Sequence, residues 1–192
     1  MGTRDTWNNY VTAQDTAKYE HNTNKNFIKS FSKYIVFILV LFVLMLIVLN
    51  KVVFILHVPS VSMEPTMNVN EEFVTKVVGP DDEITYGIYG FYSEEEDTMM
   101  VKRIVGLPGD EIEFVDGKMF RNNEAIDEDY VLYDAYFTEK FSVPEGHYLM
   151  LGDNRADSFD ARYWANTYIP REDIVGKVLF RIRPLFRFGL VE

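Results

Sequence analysis

Residues 35 to 49 read IVFILVLFVLMLIVL, fifteen positions in a row without a charge, and this run constrains the fold more than any other feature. A helix apolar on every face has no side to turn to water, and a two-layer domain rarely needs one. The run is short of the roughly 18 to 20 residues that span a bilayer. Phe31 and Ser32 lengthen it, and Lys33 and Lys51 have stems flexible enough to carry their ammonium groups to the two interfaces. One membrane-spanning helix over residues 31–51 is therefore expected. A cleaved secretory signal fits less well, because a long segment precedes the run and no small-x-small cleavage site follows it. An interfacial helix needs a polar face, which the run lacks.

Charge supplies the orientation. The chain carries a net −11, but residues 1–51 carry six Lys/Arg against three Asp/Glu, so the acidity belongs to residues 52–192. Lys25, Lys29 and Lys33 precede the helix with no acid among them, which places the N-terminus in the cytoplasm by the positive-inside rule. Residues 1–30, rich in Asn, Thr and Asp, read as a poorly ordered cytoplasmic tail. Residues 52–192 then form an extracytoplasmic domain on a single-pass protein of the cell membrane.

The same acidity excludes nucleic acid as a partner, since phosphate binding needs a basic face. There is no cysteine, and the three histidines, His21, His57 and His147, have no metal-ligand spacing. Thiolate nucleophiles are thereby removed, and no metal site or cofactor is expected.

After the run the pattern changes to short β-branched and aromatic segments separated by turn residues. Val52 to Val58, Glu72 to Val78, Gly87 to Tyr92, MMVKRIVG, EIEFV, GKMFR, HYLML and VGKVLFRIRP all read as strands. Asp116-Gly117 is placed for a type I′ hairpin turn. The fold class expected is mainly β, one antiparallel domain preceded by the helix. Glu94 to Asp97 reads as a solvated loop.

Three segments place polar and conformationally special residues among apolar ones. In PSVSMEPT, Pro59 to Thr66, Ser60 and Ser62 alternate with Val61 and Met63, so on a strand their hydroxyls share a face. In MMVKRIVGLPGD, Met99 to Asp110, Lys102 lies on a strand expected to be buried. Such a lysine either snorkels along its stem or, when desolvated, loses its charge near neutral pH and serves as a base. A serine needs a proton acceptor to become a nucleophile, and Ser-Lys is one established pairing. His57 is an odd number of residues from Ser62 and faces away from it on a strand; His147 reads as a packed strand-entry residue. In LGDNRADSFDARYW, Leu151 to Trp164, Asp153, Asn154, Arg155, Ser158, Asp160 and Arg162 crowd together. Alone, that cluster reads as a structural ion-pair network.

In order and spacing, PSVSMEPT, VKRIVGLPGD and GDNRADSFDARYW resemble the characteristic boxes of the bacterial type I signal peptidases, membrane-anchored Ser-Lys endopeptidases. The resemblance covers the apolar run and nearly all of residues 52–192, and the short stretch from Asp110 to Val143 is similar to the compact Gram-positive forms. It implies an antiparallel β-sheet catalytic domain of the signal peptidase type. Ser62 would be the nucleophile, Lys102 the general base and Ser60 an oxyanion-hole donor. Ser158 would orient the lysine amine, supported by Asp160, Arg162 and the neighbouring Asp153, Asn154 and Arg155. Met63, Met67, Met100 and Val101 would line pockets for small residues at positions −1 and −3 of an Ala-x-Ala site. No cofactor is implied. The partners implied are signal peptides of exported preproteins and the lipid bilayer, with the secretion translocon close by.

Asn70 and Glu71 stand where the family often has Gly-Asp, Gly87-Ile88 replaces a second such pair, and Ala161 replaces a common serine. An alternative of another class is a non-catalytic relative assisting pilus or surface-protein assembly, expected to lack the serine or the lysine; both are present. The C-terminal RIRPLFRFGL, with Arg181, Arg183 and Arg187 among Leu185, Phe186 and Phe188, suggests either contact with an anionic membrane surface or a plain edge strand.

Overall fold

The computed structural model of the chain describes residues 31–47, 49 and 51–191. The predicted cytoplasmic tail, residues 1–30, lies outside them. The chain divides into two units, at residues 50 and 51. In the first, residues 31–47 are helical with every side chain exposed. Among the described residues no helix is long and apolar enough to cross a membrane.

The second unit is built from twelve strands, some alternating between buried and exposed side chains and others buried on both faces along part of their length. They are β1 (Val53–His57), β2 (Glu72–Val77), β3 (Gly87–Ser93), β4 (Thr98–Gly106), β5 (Glu111–Val115), β6 (Lys118–Arg121), β7 (Glu124–Ala125), β8 (Glu139–Ser142), β9 (His147–Leu151), β10 (Tyr168–Pro170), β11 (Ile174–Arg183) and β12 (Gly189–Leu190). The larger sheet runs β1-β2-β11-β3-β4-β9-β10, with β12 added to β11; the smaller runs β7-β6-β5-β8. The pairings are antiparallel.

β5 shows how sequence becomes layer: Ile112 and Phe114 are fully buried while Glu111, Glu113 and Val115 face out. They join Met119 and Phe141 of the small sheet against Leu149, Met150 and Leu151 of the large one. The β5–β6 hairpin closes through Asp116 (φ 50°) and Gly117 (φ 81°), with Val115 opposite Lys118. Both central residues have positive φ, as a type I′ turn demands.

A second apolar cluster lies beside the first. Leu56, Val58, Met63, Met67, Phe73, Ile88 and Val178 pack together with little or no exposure. Each such side chain taken from water contributes on the order of 1.5–3 kcal/mol. Leu56 of edge strand β1 reaches a carbon's contact distance, 3.4 Å, from the Cβ position at Gly90 on β3. The large sheet is thus curled, and the exit of β1 is brought over β4.

Two local readings differ from the sequence pattern. Val52 continues a helical turn instead of opening β1, and the segment carrying Ser60 and Ser62 is a turn, not a strand. The pattern Val-Ser-Met favours extension, but the Val61 and Ser62 carbonyls are taken by Asn154, whose side-chain and backbone N–H donate to them at 3.2 and 3.1 Å. Those long-range bonds replace the strand ladder.

Candidate active site

Three chain segments converge at the curl. β4 carries Lys102, the turn after β1 carries Ser62, and the loop after β9 carries the Asp153–Arg162 cluster. Lys102 is on the inward face of β4 and only 2% exposed, and Ser62 is 8% exposed. Lys102 Nζ donates to Ser62 Oγ at 2.7 Å. Ser60 Oγ lies 3.3 Å from Ser62 Oγ, so the two hydroxyls sit together although no strand holds them.

Burial governs the amine. Loss of hydration pushes the Lys102 pKa down from 10.5 to about 8, against an upward pull from Asp160 and Asp153 and with a further push down from Arg162. Desolvation wins because the charged form loses water on every side, while neither carboxylate pairs with the amine directly. A lysine in this state changes charge within reach of physiological pH.

The network around the pair is itself buried. Asp153, fully buried, receives Arg103 Nε and Nη2, both at 2.8 Å, and Thr66 Oγ1 at 2.6 Å. The Arg103 guanidinium stacks over the Tyr130 ring at 3.8 Å. Asp160 receives Arg162 through Nε and Nη2, again at 2.8 Å each, and the Gly152 N–H at 3.0 Å. Arg155 Nε donates to the Gly152 carbonyl at 3.0 Å and its Nη2 reaches Glu128 at 2.6 Å. Asn154 Oδ1 accepts from Asp157 N at 3.1 Å and so caps a short turn of 3₁₀ helix over Arg155–Asp157. Removing one partner from a buried pair leaves an uncompensated charge and costs about 3–5 kcal/mol.

Ser158 behaves differently from expectation. Its hydroxyl is buried but has no hydrogen-bond partner among the described residues, and the lysine amine bonds to Ser62 instead. Ser158 Oγ is packed over Gly152, where an added Cβ would sit 2.2 Å away.

Beside the pair a cavity of about 290 Å³ runs between residues 56–60 and residues 98–102, with Met63 and Met67 as its floor. These two methionines are core residues, 2% and 0% exposed, whereas Met100 and Val101 are partly open. His57 lines the rim and pairs with Glu72 at 3.6 Å. A larger groove of about 680 Å³, lined by Tyr92, Glu94, His147, Trp164 and Asp173 among others, holds neither Ser62 nor Lys102. Among the described residues no group of three or more His, Asp or Glu is placed to hold a metal ion.

Several participants were not singled out in the sequence. Thr66 and Arg103 stand inside the quoted boxes, but their meeting at Asp153 depends on the fold. Glu128 and Tyr130 lie in a stretch with no motif. The C-terminal arginines also find protein partners: Arg181 and Arg187 both bond Glu71, and Arg183 reaches Glu72 at 3.4 Å.

The arrangement suits acyl transfer: a hydroxyl, an amine that can take a proton when neutral, and a neighbouring hydroxyl beside a cavity. Known proteins similar to the chain are signal peptidases. The family model described as "Signal peptidase, peptidase S26" matches residues 31–183. Signal peptidase IB of Staphylococcus aureus is 31% identical over 180 residues, 83% of this chain and 93% of that protein. The probable signal peptidase I-2 of Synechocystis sp. is 32% identical over 151 residues, 70% of this chain; the match spans 65% of that relative's length. A solved signal peptidase I from Enterococcus faecalis V583 aligns at 28% identity with a TM-score of 0.45, covering 52% of this chain and 98% of that one.

Proposed function

Because the chain belongs to the signal peptidase, peptidase S26 family, we propose that it is a membrane-anchored serine endopeptidase that removes signal peptides from exported preproteins after small residues. The observation that carries this reading is the 2.7 Å contact between a buried lysine amine and the Ser62 hydroxyl. In the reaction, neutral Lys102 takes the Ser62 proton as Oγ attacks the scissile carbonyl. Ser60 Oγ and the Ser62 backbone N–H hold the developing oxyanion. Protonated Lys102 then delivers its proton to the leaving amine, and water, deprotonated by the same amine, releases the acyl group.

The signal peptide lies as an extended strand between residues 56–60 and 98–102. Met63, Met67, Met100 and Val101, which line the cavity beside Ser62, bound the pockets for its small −1 and −3 residues. The translocon delivers substrate nearby.

Full-length protein in detergent is expected to cleave a preprotein bearing Ala-x-Ala at that site. Wild-type protein that leaves it intact sinks the reading and favours the assembly role. The rate has a pH signature. Lys102 must be neutral to accept a proton, so below its pKa of about 8 kcat/KM falls about tenfold per pH unit. A profile flat from pH 6 to 9 contradicts the lysine-base mechanism.

Residues 31–51 serve as the single membrane anchor, with the N-terminus cytoplasmic. The support is the uncharged run from 35 to 49, whose described side chains are exposed on every face. Alkaline carbonate extraction of membranes is expected to leave the protein in the pellet; release into the supernatant removes the anchor.

A further inference from the structure

The turn that presents Ser62 is held from a second direction, by residues outside the three boxes. Glu71 is 3% exposed, and its carboxylate is shared by two guanidiniums. Arg181 Nε donates to Oε2 at 3.0 Å and Arg187 Nη1 to Oε1 at 2.6 Å. One further arm of each guanidinium reaches into the turn itself: Arg187 Nη2 donates to the Pro65 carbonyl at 3.2 Å, and Arg181 Nη2 donates to the Thr66 carbonyl, while Arg181 Nη1 donates to the Arg187 carbonyl at 3.1 Å. Glu71 Oε2 also accepts the Asn68 N–H at 3.0 Å. The base of the loop is closed by Val58 N to Glu71 O, 3.2 Å, and Asn70 N to Val58 O, 2.9 Å.

Such a cluster is a poor device for simply docking the C-terminal segment. Desolvating a carboxylate and two guanidiniums is costly, and apolar packing would serve as well or better. What the cluster adds is direction. Two planar forks fix the peptide planes of Pro65 and Thr66, three and four residues after the nucleophile. From the opposite side Asp153 holds the Thr66 hydroxyl at 2.6 Å and Asn154 holds the Ser62 carbonyl at 3.1 Å. The turn is thereby clamped between the loop after β9, which holds the Val61 and Ser62 carbonyls and the Thr66 hydroxyl, and the C-terminal segment, which holds the Pro65 and Thr66 carbonyls.

We propose that Glu71, with Arg181 and Arg187, is a positioning element for the reaction, aligning the turn so that Ser62 Oγ meets Lys102. This rests on the peptidase reading above. The C-terminal arginines act through the turn and touch neither substrate nor amine.

The test uses full-length protein in detergent, with kcat and KM for an Ala-x-Ala preprotein and the thermal midpoint measured together. Glu71→Gln is expected to lower kcat about tenfold, with KM within about twofold, since displacements below 1 Å at reacting atoms cost rate rather than binding. Arg187→Lys keeps the charge opposite Glu71 but cannot fork to the Pro65 carbonyl, and about a threefold loss in kcat is expected. Should Glu71→Gln fail to fold, folded Arg187→Lys decides the matter. Unchanged kcat in a folded variant, a loss confined to KM, or a loss equal to the unfolded fraction overturns the proposal. Wild-type protein that cleaves nothing is a different failure, that of the peptidase reading.

Discussion

Ser62→Ala and Lys102→Ala are each expected to lower kcat for preprotein cleavage by on the order of 10⁴- to 10⁶-fold, the range found when one member of a nucleophile-base unit is removed. The two losses are expected not to add. Once the hydroxyl is gone the amine has no proton to take, and once the amine is gone the hydroxyl stays protonated. The double variant is therefore expected to be no slower than the worse single one. Ser62→Ala removes one oxygen, whereas Lys102→Ala removes the 2% exposed amine together with the three methylenes that carry it, so a lower thermal midpoint is expected of that variant. Rates corrected for the folded fraction, with thermal midpoints measured beside them, separate chemistry from unfolding. Lys102→Arg sharpens the test: it fills similar space but keeps its proton at any accessible pH, so it is expected to be as inactive as Lys102→Ala. Either alanine variant within tenfold of wild type refutes the Ser-Lys mechanism.

The sheet was legible where one strand's own alternation decides its faces. EIEFV buries Ile112 and Phe114 and nothing else, and Asp116-Gly117 turns as its residue types require. Strands fixed by their neighbours were not. β8 is polar and mostly exposed, and it is a strand because β5 pairs with it; β10 contains Pro170 and survives at the edge of its sheet. Lys102 could be picked out because a lysine inside MMVKRIVG breaks an apolar pattern. The turn at Ser62 could not, because the groups that bend it come from Asn154, Arg181 and Arg187, far along the chain. The sequence left Arg181 and Arg187 between membrane contact and a plain edge strand for the same reason: their partner Glu71 is more than a hundred residues away, at separations of 110 and 116. The segment also turns large apolar side chains to solvent, Leu185 at 80% and Phe186 at 87% exposed, beside the exposed Arg183.

Gly152→Ala is expected to reduce kcat by about 10²-fold without unfolding the protein, a larger effect than its single methyl group suggests. A Cβ there would lie 2.4 Å from the Ser62 carbonyl oxygen, 2.2 Å from Ser158 Oγ and 2.6 Å from Ser158 Cβ. Something has to move by the better part of an ångström. Gly152 itself cannot yield, because Asp160 holds its N–H and Arg155 its carbonyl, both at 3.0 Å. Ser158 can shift, but the Ser62 oxygen is backbone, and displacing it moves the proposed nucleophile, Ser62, relative to Lys102. A misplacement of about 1 Å at a reacting group costs on the order of 10²-fold in rate. The paired variant Gly152→Ala with Ser158→Ala tells which clash matters. It clears the hydroxyl but leaves the methyl 2.4 Å from the Ser62 carbonyl oxygen and 2.6 Å from the Cβ kept at position 158, so its kcat is expected to stay as low as that of Gly152→Ala. Recovery to the rate of Ser158→Ala alone would instead locate the strain at Ser158, and a Gly152→Ala rate within threefold of wild type would show that the turn absorbs the methyl group.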